Sequence, residues 1–226
     1  MIKILPNGLH VLIGDTHLSK WTEENGSLIN RNDAAMNHNI GCIKPGFVVV
    51  DGGAALGDHT QAYLDAVGPT GVVYAFEPNP AYFDCLSHNC PKAICINAGL
   101  WSESAKRWME VPEEGNIGAS ALSKTGKLSV VCITLDSLNL PACDFIKLDI
   151  EGAELEALRG AQRTIEAHKP IIQCEVNPPL MATMGYDQRE MERWLHDFGY
   201  STATFGVPSE FGAIELIAWP LKGNGQ

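Results

Sequence analysis

Five apolar segments of this sequence each end in a side chain that can bind a ligand or move a proton. Carboxylates follow four of the segments and an amide follows the fifth, at Asp51, Glu77, Asp149, Glu175 and Asn97. Uninterrupted β-branched runs, such as residues 48–50, predict strands that are buried on both faces of a parallel sheet. Ligands of open parallel sheets bind beyond the carboxyl ends of the strands. The pattern therefore predicts a ligand site along that edge.

A glycine-rich loop follows the first of these strands, in the segment VVVDGGAALGDHT at residues 48–60. Its glycines are Gly52, Gly53 and Gly57. They remove side chains where the backbone turns sharply and approaches a ligand, and Asp58 lies at a predicted helix start. The spacing is not that of a dinucleotide loop, and the Lys and Ser/Thr of a P-loop are absent. Asp51 and Asp58 would repel a pyrophosphate but attract the cationic end of S-adenosylmethionine. A tight connection that binds no ligand is the alternative.

Glu77 ends the second strand, 26 positions after Asp51. This offset is close to the roughly 20 residues at which an acidic side chain meets the ribose hydroxyl groups of a bound nucleotide. Glu77 is therefore the predicted ribose ligand, with an exposed acid before a proline turn as the alternative. Asn97 and Gly99 fall where the adenine edge would lie, although a turn at the strand end explains them almost as well.

Three motifs resemble those of the FkbM family of S-adenosylmethionine-dependent methyltransferases, which run D-x-G-A-x-x-G, then F-E-P, then K-x-D-x-E-G-x-E. The residues that carry the resemblance are Asp51, Gly53, Ala54, Gly57, Phe76, Glu77, Pro78, Lys147, Asp149, Glu151, Gly152 and Glu154. All three motifs occur in the family's order within residues 48–175. Gly52 stands where the family usually has a β-branched residue, a departure that removes no ligand.

The resemblance implies an α/β, Rossmann-like class I methyltransferase fold. Its sheet has seven mostly parallel strands in the order 3-2-1-4-5-7-6, with the last strand antiparallel and helices on both faces. S-adenosylmethionine is then the methyl donor. The residues expected to bind it are Asp51, Gly52, Gly53, Gly57, Asp58, Glu77, Pro78, Asn97 and Asp149.

Methyl transfer to a hydroxyl gains from a base that removes the proton as the new bond forms. Glu151 is the favoured base or acceptor anchor, and Asp149 a contact to the amino-acid end of the cofactor or to the acceptor, although the two roles can be exchanged. Glu151 also fits a helix-capping role at the following helix.

Other roles for the charged residues stay open at this point. Asp149, Glu151 and Glu175 together could bind Mg²⁺, which prefers oxygen ligands, but no metal ligands are assigned. His59 is an alternative base, although a lone helical histidine is more often structural. Lys147 is expected to form a structural ion pair with a neighbouring acid.

Alternating strands and helices must position these residues. Strands are expected at residues 48–50, 71–76, 93–97, 144–149, 170–175, 200–205 and 213–219, and helices at 58–67, 81–89, 153–168 and 188–198. The connection between the last two strands is too short for a parallel crossover, so they should be antiparallel. One methyltransferase domain at 1–226 is expected: an irregular N-terminal cap region (1–46), a catalytic core (47–219) and a hairpin-like insertion (101–130).

Composition limits the function classes further. The net charge of −11, with only 16 Lys and Arg residues in 226, disfavours a nucleic-acid partner. No apolar run approaches the roughly 20 residues that span a bilayer, and a secretory signal would need a longer apolar core than the N-terminus has. A cytoplasmic protein without a membrane partner is expected. The seven cysteines contain no C-x-x-C pair and are expected to be reduced core residues.

These features favour an O-methyltransferase that acts on a hydroxyl of a small molecule, either a sugar or a polyketide-like metabolite. A non-catalytic module that binds S-adenosylmethionine or acts as a partner subunit is one alternative, and a nicotinamide-dependent oxidoreductase is another. Acceptor contacts are expected from residues 15–21, from the insertion with Trp101 and Trp108, and from residues 177–186. The acceptor, the oligomeric state and metal dependence are not decided by the sequence.

Overall fold

The computed structural model describes residues 1–112, 115–123, 125–206, 208 and 212–221. The strands are β1 Ile2–Ile4, β2 His10–Leu12, β3 Val48–Gly52, β4 Val72–Phe76, β5 Ile94–Ile96, β6 Gly99–Leu100, β7 Ala105–Glu110, β8 Ala121–Leu122, β9 Leu128–Ile133, β10 Phe145–Leu148, β11 Ile171–Val176, β12 Tyr200–Phe205 and β13 Ile214–Pro220. The helices are α1 Leu18–Asn25, α2 Ala34–Cys42, α3 Asp58–Val67, α4 Pro80–Asn89, α5 Glu154–Arg159, α6 Gln162–His168, α7 Pro178–Met184 and α8 Gln188–Asp197.

Seven strands form the central sheet, in the order β12-β13-β11-β10-β3-β4-β5. The strands β3, β4, β5, β10 and β11 pair in parallel, whereas β13 is antiparallel to both β11 and β12. If these seven strands are renumbered 1 to 7 along the chain, their order across the sheet is 3-2-1-4-5-7-6, as expected. The mostly parallel α/β sheet confirms the predicted fold class.

Apolar side chains cover both faces of this sheet, because successive residues of a strand point to opposite sides. Val50 and Ile146 belong to one core together with side chains of α5, α6 and α8. Val49 and Phe145 belong to another core together with side chains of α3. The strands therefore end, at their carboxyl edge, between two packed layers.

The helix expected at 153–168 is wrong as a single element. It divides into α5 and α6 at Gly160, where a Cβ atom would collide with the backbone of Trp101. Asp136 then caps α6, since its carboxylate accepts hydrogen bonds from the backbone N–H groups of Arg163 and Thr164, both at 2.9 Å. A contact from a distant segment therefore interrupts a locally favourable helix.

The N-terminal region is more regular than expected, and its helices pack beside the sheet. β1 and β2 form an antiparallel pair. Asp33 caps α2 by accepting a hydrogen bond from the Met36 N–H at 2.8 Å. Asn39 of α2 donates to the Tyr63 hydroxyl of α3 at 2.9 Å. Residues 177–186, expected to be irregular, contain α7.

The insertion holds more than a hairpin. β7 and β9 pair antiparallel as expected, and β8 and β6 extend them to a four-stranded sheet in the order β6-β9-β7-β8. Glu113, Glu114 and Lys124 of the insertion lie outside the described residues. All seven cysteines are unpaired, but Cys42 and Cys95 are only half-buried. Within the described part of the chain, every helix is too short or too polar to cross a membrane.

Candidate functional site

The glycine loop after β3 packs between the ends of two neighbouring strands. The N–H groups of Gly53 and Ala54 both donate to the carbonyl oxygen of Phe76 at 3.0 Å. Gly53 has a φ of +80°, and a Cβ atom there would overlap the carbonyl oxygen of Asp149. Only glycine fits both this left-handed backbone and this close approach. The loop therefore lies directly against Asp149 at the end of β10.

Glu77 lies at the end of β4 and is only 6% exposed. Its Oε2 accepts a hydrogen bond from the Ala55 N–H at 3.0 Å, and its Oε1 accepts one from the Asn79 N–H at 2.7 Å. Burial raises the pKa of Glu77 to about 7, although these two hydrogen bonds act in the opposite direction. Each oxygen keeps a further lone pair, so the carboxylate can also accept hydrogen bonds from a pair of hydroxyl groups.

A cleft of about 590 Å³, part of it open to solvent, runs past the Glu77 carboxylate. Its lining residues are Gly53, Ala55, Phe76, Glu77, Pro78, Tyr82, Gly99, Leu100, Met109, Gly118, Ser120, Leu122, Asp149, Ile150, Glu151 and Ala153. Most of them are apolar, three carry carboxylates, and none of these described residues is basic. An apolar lining with a few convergent polar groups is typical of a small-molecule site, and the charge suits a cationic ligand.

Lys147 links the glycine loop to Asp149 from beneath the cleft. Its Nζ lies 3.6 Å from Asp51 Oδ1 and 3.4 Å from Asp149 Oδ2, and it donates to the Gly53 carbonyl oxygen at 3.3 Å. Burial alone would lower the pKa of Lys147, but Asp149 and Asp51 raise it well above its usual value. The predicted structural ion pair is therefore confirmed, and the lysine is charged.

Several residues predicted to bind the cofactor lie behind the cleft wall and do not line it. Asp51 is fully buried and also accepts a hydrogen bond from Thr60 Oγ1 at 2.6 Å. Gly52 and Gly57 are buried. Asp58 begins α3, and burial raises its pKa. Direct contacts from these residues to a cofactor stay predictions, and the structure gives Asp51 a supporting role through Lys147.

Asn97 is exposed and acts from outside the cleft. Its Nδ2 donates to the Glu77 carbonyl oxygen at 2.8 Å and lies 3.3 Å from that of Pro78. Pro78 and Gly99 line the cleft themselves. Asn97 therefore braces the turn that carries Glu77.

Asp149 and Glu151, the two predicted catalytic residues, lie together in the wall of the cleft. Glu151 has a left-handed backbone with a φ of +55°. This conformation costs a non-glycine residue about 1–2 kcal/mol and is concentrated at functional sites. Burial, followed by the charges of Asp149 and Glu154, raises the pKa of Glu151 to about 7. Glu151 is thus a half-buried carboxylate suited to taking up a proton near neutral pH.

Glu154 holds the turn that presents Glu151. It is fully buried, and its Oε1 accepts hydrogen bonds from the N–H groups of Ile150 at 3.1 Å and Gly152 at 3.2 Å. The acidic residues in the first turn of α5 are Glu154 and Glu156. The favourable interaction with the helix dipole, the alternative role for Glu151, is therefore supplied by Glu154 and Glu156.

Tyr186 completes this turn and could not be found from the sequence motifs. Its hydroxyl lies 2.9 Å from the Gly152 carbonyl oxygen and 3.2 Å from Glu154 Oε2, and it accepts a hydrogen bond from the Leu155 N–H at 3.3 Å. The residue comes from the 177–186 segment that was expected to contact the acceptor, but it lies below the cleft. It positions the turn from Gly152 to Leu155.

The insertion contributes to the cleft differently from the prediction. Met109 and Leu122 line the cleft. Trp108 is 52% exposed, and Trp101 lies under the guanidinium group of Arg107, 4.1 Å from the ring centre. Residues 15–21 and 177–186 do not line the cleft within the described chain. The apolar wall opposite the carboxylates therefore comes from β7 and β8.

His59 lies outside the cleft in a buried network. Its Nε2 is 3.5 Å from Asp33 Oδ2, and its Nδ1 is 3.2 Å from the Tyr63 hydroxyl. Burial would lower the pKa of His59, but Asp33 more than offsets this and raises it. The structural role therefore fits His59 better than that of a base.

The magnesium alternative finds no ligand set. Among the residues that the structure describes, no group of three or more His, Cys, Asp and Glu side chains is arranged to hold a metal ion. Burial and the charges of Asp149 and Glu151 instead raise the pKa of Glu175 to about 9. Glu175 behaves as a buried acid among like charges.

The family model of the methyltransferase FkbM domain matches residues 51–202, from the glycine loop to the start of β12. The chain belongs to the FkbM methyltransferase family. It is 30% identical over 138 residues to the hexuronic acid methyltransferase AglP of Haloferax volcanii, a match that covers 58% of this chain and 55% of AglP.

Solved methyltransferase structures share the FkbM chain's fold. The methyltransferase FkbM of Methylobacillus flagellatus KT has a TM-score of 0.53 and 18% identity, over 80% of this chain and 50% of that one. Fibrillarin of Aeropyrum pernix, solved with natively bound S-adenosyl-L-methionine, has a TM-score of 0.50 and 13% identity, over 78% of this chain and 68% of that one. The chain spans about half the length of AglP and of the Methylobacillus protein.

Proposed function

We propose that this FkbM-family chain is an S-adenosylmethionine-dependent O-methyltransferase that acts on a hydroxyl of a small molecule. The observation that carries this proposal is that one cleft is lined both by Glu77 and by the pair Asp149 and Glu151. A ribose ligand and a proton acceptor therefore face the same space.

The lining residues fit the methyl donor. Glu77 would accept hydrogen bonds from the ribose hydroxyl groups, and the apolar side chains of Leu100 and Met109 would contact the adenine ring. Asp149 and Glu151 would lie near the cationic sulfonium and ammonium groups. When bound, S-adenosylmethionine supplies a methyl group on a positively charged sulfur.

Glu151 is the better candidate for the base. Its pKa of about 7 matches the task of removing a hydroxyl proton near neutral pH. Asp149 is paired with Lys147 at 3.4 Å, so its carboxylate is better suited to orienting the acceptor or the amino-acid end of the donor. In this proposal Glu151 is therefore the base and Asp149 the orienting residue.

The acceptor class is supported by the relative. AglP is a hexuronic acid methyltransferase, which favours a sugar over a polyketide-like metabolite. A cytoplasmic location and the absence of a nucleic-acid partner remain predictions from composition.

Two measurements test the proposal. Calorimetric titration with S-adenosylmethionine and S-adenosylhomocysteine should show binding, and no binding at millimolar concentration would contradict it. Transfer of a radiolabelled methyl group to a panel of hydroxylated acceptors should then be detected. Donor binding without transfer to any acceptor would favour a non-catalytic module, and fluorescence binding of NADH would favour the oxidoreductase alternative.

A further inference from the structure

A series of polar contacts leads from α3 to the wall of the cleft. The Thr60 hydroxyl donates to Asp51 Oδ2 at 2.6 Å, and Asp51 Oδ1 lies 3.6 Å from Lys147 Nζ. Lys147 Nζ lies in turn 3.4 Å from Asp149 Oδ2. Thr60, Asp51 and Lys147 are buried, whereas Asp149 lines the cleft. The contacts therefore connect the buried side of the glycine loop to a carboxylate that faces the ligand space.

The two oxygens of Asp51 are held differently. Oδ2 accepts the Thr60 hydrogen bond, but Oδ1 has no hydrogen-bond donor among the described residues. Lys147 is an ion-pair partner of Oδ1, yet at 3.6 Å it lies beyond hydrogen-bond distance. A buried carboxylate that loses its hydrogen bond bears the full cost of its desolvation. The Thr60 hydroxyl therefore allows Asp51 to stay buried as an anion without drawing Lys147 fully to itself.

Lys147 lies almost midway between its two carboxylates. Both of its N–O distances, 3.6 Å to Asp51 and 3.4 Å to Asp149, exceed the roughly 2.7–2.9 Å of a charge-assisted hydrogen bond. A small movement of the ammonium group would therefore complete one ion pair at the expense of the other. Without the Thr60 hydrogen bond, Asp51 would have the greater need of a partner, and Lys147 would move toward it.

The position of Lys147 affects Glu151. Burial is the main cause that raises the pKa of Glu151 to about 7, Asp149 and Glu154 raise it further, and Lys147 lowers it. Glu175 is a further titratable group beside Glu151. The titratable groups around Lys147, besides its two partners, are Asp58, His59, Tyr63, Glu77 and Glu215. A lysine that moved away from Asp149 would leave this carboxylate less compensated, so the pKa of Glu151 would rise.

We propose that Thr60 is a positioning residue, which acts through Asp51 to set how Lys147 is shared and so keeps the ammonium group beside Asp149. The inference rests on the proposed function, in which Asp149 orients the acceptor or the amino-acid end of the donor beside the base Glu151. Thr60 and Asp51 thus support the reaction from behind the cleft wall.

The variant Thr60→Val tests this role, because it keeps the size and branching of the side chain and removes the hydroxyl. The readout is the pKa of the Glu151 carboxyl, followed by carbon-13 NMR in protein labelled at the glutamate carboxyls and assigned by the signal lost in Glu151→Gln. An opposite charge within about 4–6 Å shifts a carboxyl pKa by about 1–3, so partial loss of the lysine should raise it by at least about 0.5. An unchanged or lowered pKa would overturn the inference.

Thr164→Val is the matched control. Thr164 of α6 is also buried, and its hydroxyl also donates to a carboxylate, Asp136 Oδ1, at 2.8 Å. Both valine variants should lose thermal stability, since each leaves a carboxylate with one hydrogen bond fewer, but only Thr60→Val should move the pKa of Glu151. Thr60→Ser restores the hydroxyl and should return the wild-type pKa. An equal shift in both valine variants, or no rescue by serine, would mean that Thr60 is merely structural.

Asp51→Asn provides the opposite perturbation. It removes the charge that competes for Lys147, so the lysine should pair fully with Asp149, and the pKa of Glu151 should fall by at least about 0.5. A rise or no change would contradict the sharing of the lysine. Because the two substitutions act in opposite directions, each decides the question even where the other variant does not fold.

The NMR readout needs no methyl transfer, so failures of the two proposals are distinguishable. A pKa that does not move in Thr60→Val, with methyl transfer intact in the wild type, would overturn the inference alone. The expected shifts without any methyl transfer would overturn the proposed function and leave the shared lysine as a feature of the fold. Where both hold, the rise of kcat through pH 7 should move to higher pH in Thr60→Val together with the pKa of Glu151.

Discussion

Two parts of the cleft lining hold their carboxylates in different ways: the part around Glu77, called the donor end after the proposed function, and the part around Asp149 and Glu151, called the acceptor end. At the donor end, both oxygens of Glu77 accept backbone N–H groups of neighbouring loops. At the acceptor end, Glu151 has a left-handed backbone in a turn whose N–H groups donate to the buried Glu154 carboxylate. Burial raises the pKa of both Glu77 and Glu151 to about 7. The Glu77 carboxylate is thus held directly by backbone N–H groups, whereas Glu151 is positioned indirectly, through the turn that the Glu154 side chain holds.

Substitution of the base should separate the two ends most strongly. Glu151→Gln keeps the size of the side chain but removes its capacity to take up a proton, so kcat should fall about 10²–10⁴-fold. The affinity for S-adenosylhomocysteine, which has no sulfonium charge, should stay within about threefold in calorimetry, because the contacts of Glu77 are untouched. An unchanged kcat would show that Glu151 is not the base.

The pH dependence of kcat also tests whether Glu151 is the base. Since the base must be ionised and the pKa of Glu151 is raised to about 7, kcat should rise as the pH increases through 7 and level off above it. Glu151→Gln should remove this rise from the residual activity. Glu156→Gln, at a carboxylate that pairs with Arg159 and does not line the cleft, should keep the full profile.

The contact between Gly53 of the glycine loop and Asp149 should give the next largest effect on substitution. Gly53→Ala adds a Cβ that meets the Asp149 carbonyl at a φ of +80°, so overpacking and backbone strain together should cost about 2–5 kcal/mol of unfolding free energy. Donor binding should fall with it, because the loop must shift. Gly14 has a φ of +93°, but a Cβ atom there would meet open space. Gly14→Ala should therefore cost only about 1–2 kcal/mol of unfolding free energy. Equal losses in thermal denaturation would refute the close-packing argument.

Local patterns predicted the donor end well because they report on local physics. An apolar run that ends in a carboxylate marks a strand end, and glycines at fixed spacing mark a loop that must turn and pack closely. The burial of Asp51 could not be predicted in this way. It depends on the register that aligns Asp51 with Lys147, and register is a property of the assembled sheet.

The acceptor end was harder to predict because its residues come from distant segments. Tyr186 carries no motif, and tertiary packing alone brings its hydroxyl to the turn that presents Glu151. The break at Gly160 has the same origin, since the Trp101 backbone lies against it. The motifs therefore predicted Asp149 and Glu151 but not the residues that hold and surround them.

Glu77→Gln, a smaller change at the donor end, should weaken donor binding without lowering kcat. Glu77→Gln replaces one carboxylate oxygen with an amide, so one bond to Ala55 or Asn79 is lost and one ribose hydroxyl group loses its charged acceptor. Hydrogen bonds to charged groups contribute about 1.5–3 kcal/mol, so the Kd of S-adenosylhomocysteine should rise at least about tenfold. Saturated kcat should change little. A lower kcat at unchanged Kd would place Glu77 in the chemistry and break the division between the two ends.

The weakest effect should come from the residue that holds the acceptor turn. Tyr186→Phe removes the hydroxyl that contacts Gly152, Glu154 and Leu155, which should cost about 1–2 kcal/mol of stability. Tyr200→Phe removes a comparable buried bond, to the Pro170 carbonyl at 2.9 Å, and serves as the control. Tyr186, unlike Tyr200, supports the turn that presents Glu151. We therefore expect kcat to fall about three- to tenfold in Tyr186→Phe but not in Tyr200→Phe. Equal kcat in the two variants would mean that the left-handed backbone of Glu151 is maintained by Glu154 and Gly152 without the tyrosine.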